Sequence, residues 1–595
     1  MPSRPVLPVL LLASLLSSTA LAAGHAAPTT TGKTATTTHL PEVPFPVDAP
    51  AFLTGLLAAR ADDYTTAARA YTDALKTDPN NTELLRQAFS QAALAGSPEA
   101  VDLARRTARL PGGRTIITAF VLGNDAVLHE RWQDAAEAYR SVPADALTRI
   151  LAPLLQAWCL TGEKKYDDAL RLLTSPPSTS SPASPFYLGH AGLIASLAGK
   201  SQLAGQFYER ANTLLQGGDL LLVRARANWL WQSGHQTEAR DLMRNAIRRD
   251  PVLSLAEPEM QATLDTAPVA SAKDGVAHAY ILVAYILRQQ ALHASDTNGM
   301  QQMNIASAMM LRMALTLDPS LAVARLMLSE IEDSMDHPDV AIATLRVVPP
   351  TDPLARVARF RLALLEDRAG DRNDARTILE GLAHDAPDLV LPIRALGTLL
   401  FETKDYTGAI TAFDKAIANA RASHALDWSL LFERAAAYER TGNWPKAEAD
   451  IQEARKMVPD EPIVLNFLGY GWVQRGQHLK DATQLLEHAL ELDPEDAAIR
   501  DSLGWAFIRS GDLKRGTDLL EHAAEETPLD PEVNYHLGVA YWNLGRHTEA
   551  IDQWNVALGL KPEPDDLARI NTALDFAKTA GPEAKLSIQD VPTTP

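Results

Sequence analysis

Four prolines, Pro459, Pro494, Pro528 and Pro562, are separated by 35, 34 and 34 residues. Around them the chain repeats one design. A small residue stands twelve places before each proline (Ala447, Ala482, Gly516, Ala550), another five places before (Ala454, Ala489, Ala523, Ala557), and a third near the start of the unit (Ala435, Gly469, Gly504, Gly538). Two units share the string LLEHA, at Leu485–Ala489 and Leu519–Ala523. Such a period means that one helix-turn-helix unit is copied and stacked. Within a unit the small residues are expected where the backbones of its two helices, A and B, approach most closely. Proline ends helix B, because it has no amide hydrogen and clashes with the preceding turn. The bulky residue four places beyond the first helix-B small residue (Ile451, Leu486, Leu520, Trp554) is expected to fill the gap between helix B and the next helix A. A lone unit cannot bury its apolar face, so the units must stack into an elongated superhelix.

This small–large–small–proline pattern resembles the tetratricopeptide repeat (TPR) family. It can be followed upstream through Gly55, Ala67, Tyr71, Ala74 and Pro79; through Gly123, Ala135 and Tyr139; and through Gly192, Ala204, Tyr208 and Ala211. Ala227, Ala239, Ala246 and Pro251 fit it too, as do Ala363, Ala375, Leu379 and Pro387, and Gly397, Ala409, Phe413 and Ala416. Weaker matches surround Phe89, Ala157 with Ala169, and Ser329 with Ala341. The unit ending at Pro319 keeps Leu311 and Ala314, with a first helix expected over about Val276–Gln290 and a long turn after it. The resemblance implies an all-α, right-handed α-solenoid (superhelix) of about fourteen TPR-like helix pairs.

The remaining segments divide the chain further. Arg4, the apolar stretch Val6–Leu16 and the small residues Ala20-Leu21-Ala22 read as an export signal over 1–22, too short and too broken by Pro8 to span a bilayer. The Thr- and Pro-rich stretch 23–50 reads as a disordered tether. An N-terminal degenerate array is then expected over 51–251, with an exposed Ser/Pro-rich loop at Thr174–Pro185. An irregular linker over 252–275 leads to a C-terminal array over 276–562, most regular over 428–562. A capping helix over 563–579 and a flexible tail over 580–595 complete the division. No later stretch has the twenty apolar residues that a membrane span requires, so the exported chain is expected to be soluble and periplasmic or envelope-associated.

Chemistry finds few footholds. Cys159 is the only cysteine, beside Trp158 in a helical run, and reads as a small buried hydrophobe. A formal net charge of −19 argues against nucleic acid, whose binding rests on Lys and Arg neutralising phosphates. The motifs HExxH, GxSxG and CxxC and a phosphate-cradling glycine loop are all missing. His478, His488, His522, His536 and His547 are read as solvated rather than metal-ligating. Equivalent places on stacked helices lie roughly 8–10 Å apart, and zinc needs nitrogens about 2 Å from one centre. Glu525 with Glu526 and Asp565 with Asp566 are neighbours that point apart, so neither forms an acid–base pair. No catalytic residue, cofactor or metal is expected.

In TPR arrays the first helices line the concave surface, at places three before and one, four and five after the small helix-A residue. Carried onto this sequence, the resemblance points to Asn466, Tyr470, Val473 and Gln474; to Asp501, Trp505, Ile508 and Arg509; and to Tyr535, Val539, Trp542 and Asn543. Aromatics supply contact area and amides pair with an extended backbone, so the strip Asn466, Tyr470, Gln474, Asp501, Trp505, Arg509, Tyr535, Trp542 and Asn543 is expected to bind a partner protein or peptide. The alternative for Trp505 and Trp542 is packing between repeats. Family members that grip a terminal carboxylate use Lys and Asn at groove places held here by Asn466, Tyr470, Asp501 and Trp505, so that clamp is absent. The expected function is a non-enzymatic protein-interaction scaffold of the bacterial cell envelope. The alternatives are an accessory enzyme with a site among the irregular repeats of 252–319, or a purely structural part of an envelope assembly or polysaccharide secretion machine.

Overall fold

The computed structural model describes residues 48–141, 146–175, 184–215, 220–294, 296–579 and 584–586. The export signal, nearly all of the tether, most of the Ser/Pro-rich loop and most of the tail lie outside the described residues. Among the described residues there are thirty α-helices, a 3-10 turn at Pro251–Ala256 and no strand. No described helix is long and apolar enough to cross a membrane. The chain divides into two compact units, 1–371 and 372–595, and each is a stack of helix pairs in which every helix packs mainly on its neighbours in sequence.

The segment 252–275 lies inside the first unit. Pro258 lies in the first turn of the short helix Glu257–Ala262, Leu255, Ala256, Met260 and Leu264 are buried, and Asn228 and Gln232 donate to the carbonyls of Leu264 and Asp265 at 2.9 and 2.8 Å.

The repeat rule is visible atom by atom. A Cβ built on Gly123 would stand 2.1 Å from the Tyr139 ring, on Gly192 2.5 Å from Tyr208, on Gly397 2.6 Å from Phe413, and on Gly538 2.4 Å from Trp554. The bulky helix-B residue therefore seats on the glycine of its own pair, where the sequence reading put it against the following helix. Glycine leaves a hollow one side chain deep, and the ring fills it. In the second unit the last four turns from first to second helix are each closed by a left-handed glycine, Gly442, Gly476, Gly511 or Gly545. A reverse bond follows from the next residue (Asn443 to Tyr438, Gln477 to Trp472, Asp512 to Phe507, Arg546 to Tyr541, at 2.8–2.9 Å), the arrangement that satisfies the last carbonyls of a helix. The turn before Tyr406 has the same bond, Asp405 to Leu400 at 2.8 Å, but carries Lys404 at φ 65° in the glycine place.

In the first unit, helices Ala272–Leu292 and Thr297–Leu317 are 21 residues each. The long turn expected between them is instead a short connection, because Asp296 caps the second helix by accepting from Gly299 N at 2.6 Å. This hairpin packs on the first helices of earlier pairs, Thr82–Ala95, Ile116–Leu128 and Ala146–Gly162. Asn124 ties the contact. Its Nδ2 donates to Met313 O and Thr316 Oγ1, both at 3.0 Å, and its Oδ1 accepts from Tyr139 and Tyr280 at 2.9 and 3.0 Å. Gly275 meets Trp158 so closely that a Cβ would lie 2.2 Å from the indole. The inner face of these early pairs is thus filled by the chain's own hairpin. Cys159 is buried beside it, and burial pushes its thiol up to about 12.

Candidate functional site

The inner face of the second unit is open. A cavity of about 770 Å³ is lined from helices Trp428–Arg440, Pro462–Gln474 and Pro564–Thr579, with Lys404, Tyr406 and Glu532. Of the residues singled out in the sequence, Asn466, Tyr470 and Gln474 line it. The Glu532 carboxylate organises its floor: the Tyr470 hydroxyl donates to it, and Gln474 Nε2 and Arg569 Nη2 each lie 3.3 Å away. Gln474 also donates to the Tyr470 hydroxyl, and Arg569 to Asp566. Burial, and then the Glu532 charge, hold the Tyr470 phenol well above its ordinary pKa, so it stays a donor. Asn466 Oδ1 is a buried acceptor without a protein donor.

One wall is aromatic. Phe432, Phe467 and Trp444 follow one another with ring centroids 5.3 and 6.2 Å apart, and Trp428, outside the lining, lies 6.4 Å from Phe432. The Arg475 guanidinium lies 4.2 Å over Trp444, a cation–π contact that holds the indole from its other side. Gly471 permits this packing, since a Cβ there would stand 2.0 Å from Trp444. Ile463 is 47% exposed on the same wall. At the mouth, Lys404 Nζ pairs with the Glu563 carboxylate at 2.9 Å, and Arg440 Nε donates to the Tyr406 hydroxyl at 3.3 Å. That bond raises the Arg440 pKa further above its ordinary value.

The other six singled-out residues sit elsewhere. Asp501, Trp505, Tyr535, Trp542 and Asn543 are buried, and Arg509 is half-buried, its pKa lowered by burial. Trp505 stacks on His536 at 4.2 Å and 14°, and His536 Nδ1 meets Asp501 at 2.9 Å. Trp542 lies against His547, Trp554 and Phe576 and donates to Ala584 O at 2.9 Å. The capping helix explains this burial, for Phe576 covers Trp542 and Arg569 lies 5.6 Å over the Tyr535 ring. His536, read as solvated, is fully buried on a first helix, where Asp501 partners its Nδ1. His522 is exposed and His488 half-buried, each beside carboxylates.

The lining residues that sequence reasoning passed over had a signal. The same offsets applied one unit earlier, to Ala435, give Phe432, Ala436, Glu439 and Arg440, three of which line the cavity. Lys404 and the capping-helix residues had none, because they arrive from outside the first helices.

A smaller cavity of about 390 Å³ lies in the first unit among Tyr64, Arg312, Arg325, Glu332 and Thr344. Its charges answer one another: Arg312 pairs with Glu332 at 2.9 Å, Thr344 donates to the same carboxylate at 2.7 Å, and Arg312 lies 5.3 Å over Tyr64. Burial raises the Glu332 carboxyl pKa against the opposing pull of Arg312.

Comparison with known proteins places the repeats. The tetratricopeptide repeat profile matches residues 360–424, 394–462, 432–497 and 502–563. A TPR repeat-containing protein of Pseudomonas aeruginosa is 28% identical over 146 residues, which is 24% of this chain and 24% of that protein. The match thus spans about a quarter of the curated relative's length. Among solved structures, the Cut9–Hcn1 hetero-tetramer of the APC/C aligns over 89% of this chain and 96% of its own, at 14% identity and TM-score 0.35. A tetratricopeptide repeat protein of Parabacteroides merdae aligns over 43% and 98%, at 13% identity and TM-score 0.36.

Proposed function

Since the chain carries tetratricopeptide repeats, an architecture whose general use is to hold other proteins, we propose that the open inner face of its second unit binds a partner polypeptide, as a non-enzymatic scaffold of the bacterial cell envelope. The observation that carries this reading is the cavity of about 770 Å³ in which an aromatic wall faces a floor of oriented polar groups. The wall supplies apolar contact area, and the Asn466 Oδ1 acceptor offers a bond to a partner's backbone N–H. The charges inside are mostly spent on one another, which favours a ligand gripped by contact area and amide bonds over one gripped by charge alone. The export-signal pattern of residues 1–22 supports the envelope location.

A photo-crosslinking residue placed at Ile463, on the cavity wall, tests the reading in the producing cell. An equivalent residue at Leu529, 78% exposed, serves as the control. A discrete protein adduct from Ile463 that is missing from Leu529 is the expected result. Identical adducts from both places, or none from Ile463, would reject the groove.

A further inference from the structure

We propose that the second unit's groove selects a segment of mixed charge: a carboxylate side chain at Arg440, an apolar side chain on the wall of Phe432 and Ile463, and a basic side chain at Asp565. This rests on the groove reading above and adds the chemistry of the partner. Most charges lining the cavity are already bonded to opposite charges, at the mouth and on the floor. Arg440 and Asp565 differ. Arg440 is exposed, and its one hydrogen bond goes to the neutral Tyr406 hydroxyl at 3.3 Å, while the Glu439 and Glu563 carboxylates act on it through space without bonding to it. Asp565 is exposed and forms no salt bridge among the described residues.

Helix ends explain why the fold tolerates both. Arg440 closes helix Trp428–Arg440 and Asp565 opens helix Pro564–Thr579, each favourably placed in its helix dipole. Among the described residues neither the Arg440 Nη atoms nor the Asp565 carboxylate oxygens are bonded to an opposite charge. In the same cavity the exposed apolar surface of Ile463 remains uncovered. A ligand that meets all three is a chain segment carrying acidic, apolar and basic side chains, and each rim charge then acts on specificity and encounter rate more than on total affinity.

The test uses the full chain and fluorescein-labelled heptapeptides in which a leucine–phenylalanine pair is flanked by glutamate and lysine, with both flanks changed to glutamine as the control. Anisotropy titrations to millimolar peptide are expected to show the charged peptide binding about tenfold more tightly, a gap that closes in molar salt. Arg440→Glu is expected to erase the preference and to regain it when the peptide's glutamate becomes lysine; Asp565→Lys does the same for the other flank. Unchanged circular dichroism melts confirm that both variants fold. Equal binding of the glutamine peptide overturns the charge selection and leaves the groove standing. Failure of every peptide also overturns this inference, and the groove reading falls with it only if Ile463 yields no specific crosslink.

Discussion

At Gly123 the room for a side chain is already taken. Tyr139 cannot retreat, because its hydroxyl is bonded to buried Asn124 at 2.9 Å. Gly123→Ala is therefore expected to destabilise the first unit by about 1–3 kcal/mol in urea titrations. Gly559→Ala, whose Cβ meets nothing within 4 Å, should be neutral or slightly stabilising. Equal midpoints for the two variants would show that the glycine–ring seat is not what selects the small residue. Lys404 poses the opposite case: it holds a left-handed backbone where the following turns use glycine, and its salt bridge to Glu563 joins two exposed side chains, a kind of pair worth little in water. Lys404→Gly should leave stability unchanged or raise it by up to about 1 kcal/mol, and weaken partner capture in the crosslinking assay. A clear loss of stability would make Lys404 a structural residue. The small places were legible in the sequence because only small residues fit them, so they recur. The seat of the bulky residue was not, since one spacing is compatible with contact to either neighbouring helix and only the depth of the hollow decides.

Helix Ala272–Leu292 and its partner Thr297–Leu317 show what an element adds to a repeat. The sequence marked this region as irregular through a long turn, where the structure has long helices and a short connection, and missed that the pair covers the inner face of earlier ones. Periodicity names the inner side of a helix and says nothing of what lies on it. The buried histidines near this contact carry a pH consequence. Trp158 Nε1 donates to His190 Nδ1 at 2.9 Å, which requires that nitrogen to be unprotonated. Burial lowers His190 to about 3 and His278 to about 4, against about 6.5 in an unfolded chain. Below pH 6.5 the unfolded state binds protons that the folded state refuses, so stability is full above that pH and is lost as pH falls toward 3. Between pH 7 and 4.5 His190 alone should account for about 2–3 kcal/mol of loss. Urea titrations read by tryptophan fluorescence check this against His190→Asn, which should start weaker and lose less over the interval. A variant that loses as much as the parent would remove His190 from the account.

Across the whole molecule one architecture is used in two ways. In unit 1 the inner face is filled by the chain's own hairpin, pinned through Asn124; in unit 2 it stays open over a cavity lined by aromatic, amide and charged side chains. The repeats and their period could be read from residues alone. The position of the open stretch could not, because a helix following the last repeat covers Tyr535 and Trp542 and moves the free surface one unit toward Ala435. The contrast between the two inner faces can be measured by thiol labelling in a Cys159→Ser background, with one cysteine placed at Ile463 in the groove wall and another at Leu311, fully buried in the hairpin. The account predicts that Ile463→Cys reacts with maleimide in seconds and Leu311→Cys only as fast as the first unit unfolds. Comparable rates at the two positions, whether both fast or both slow, would contradict it.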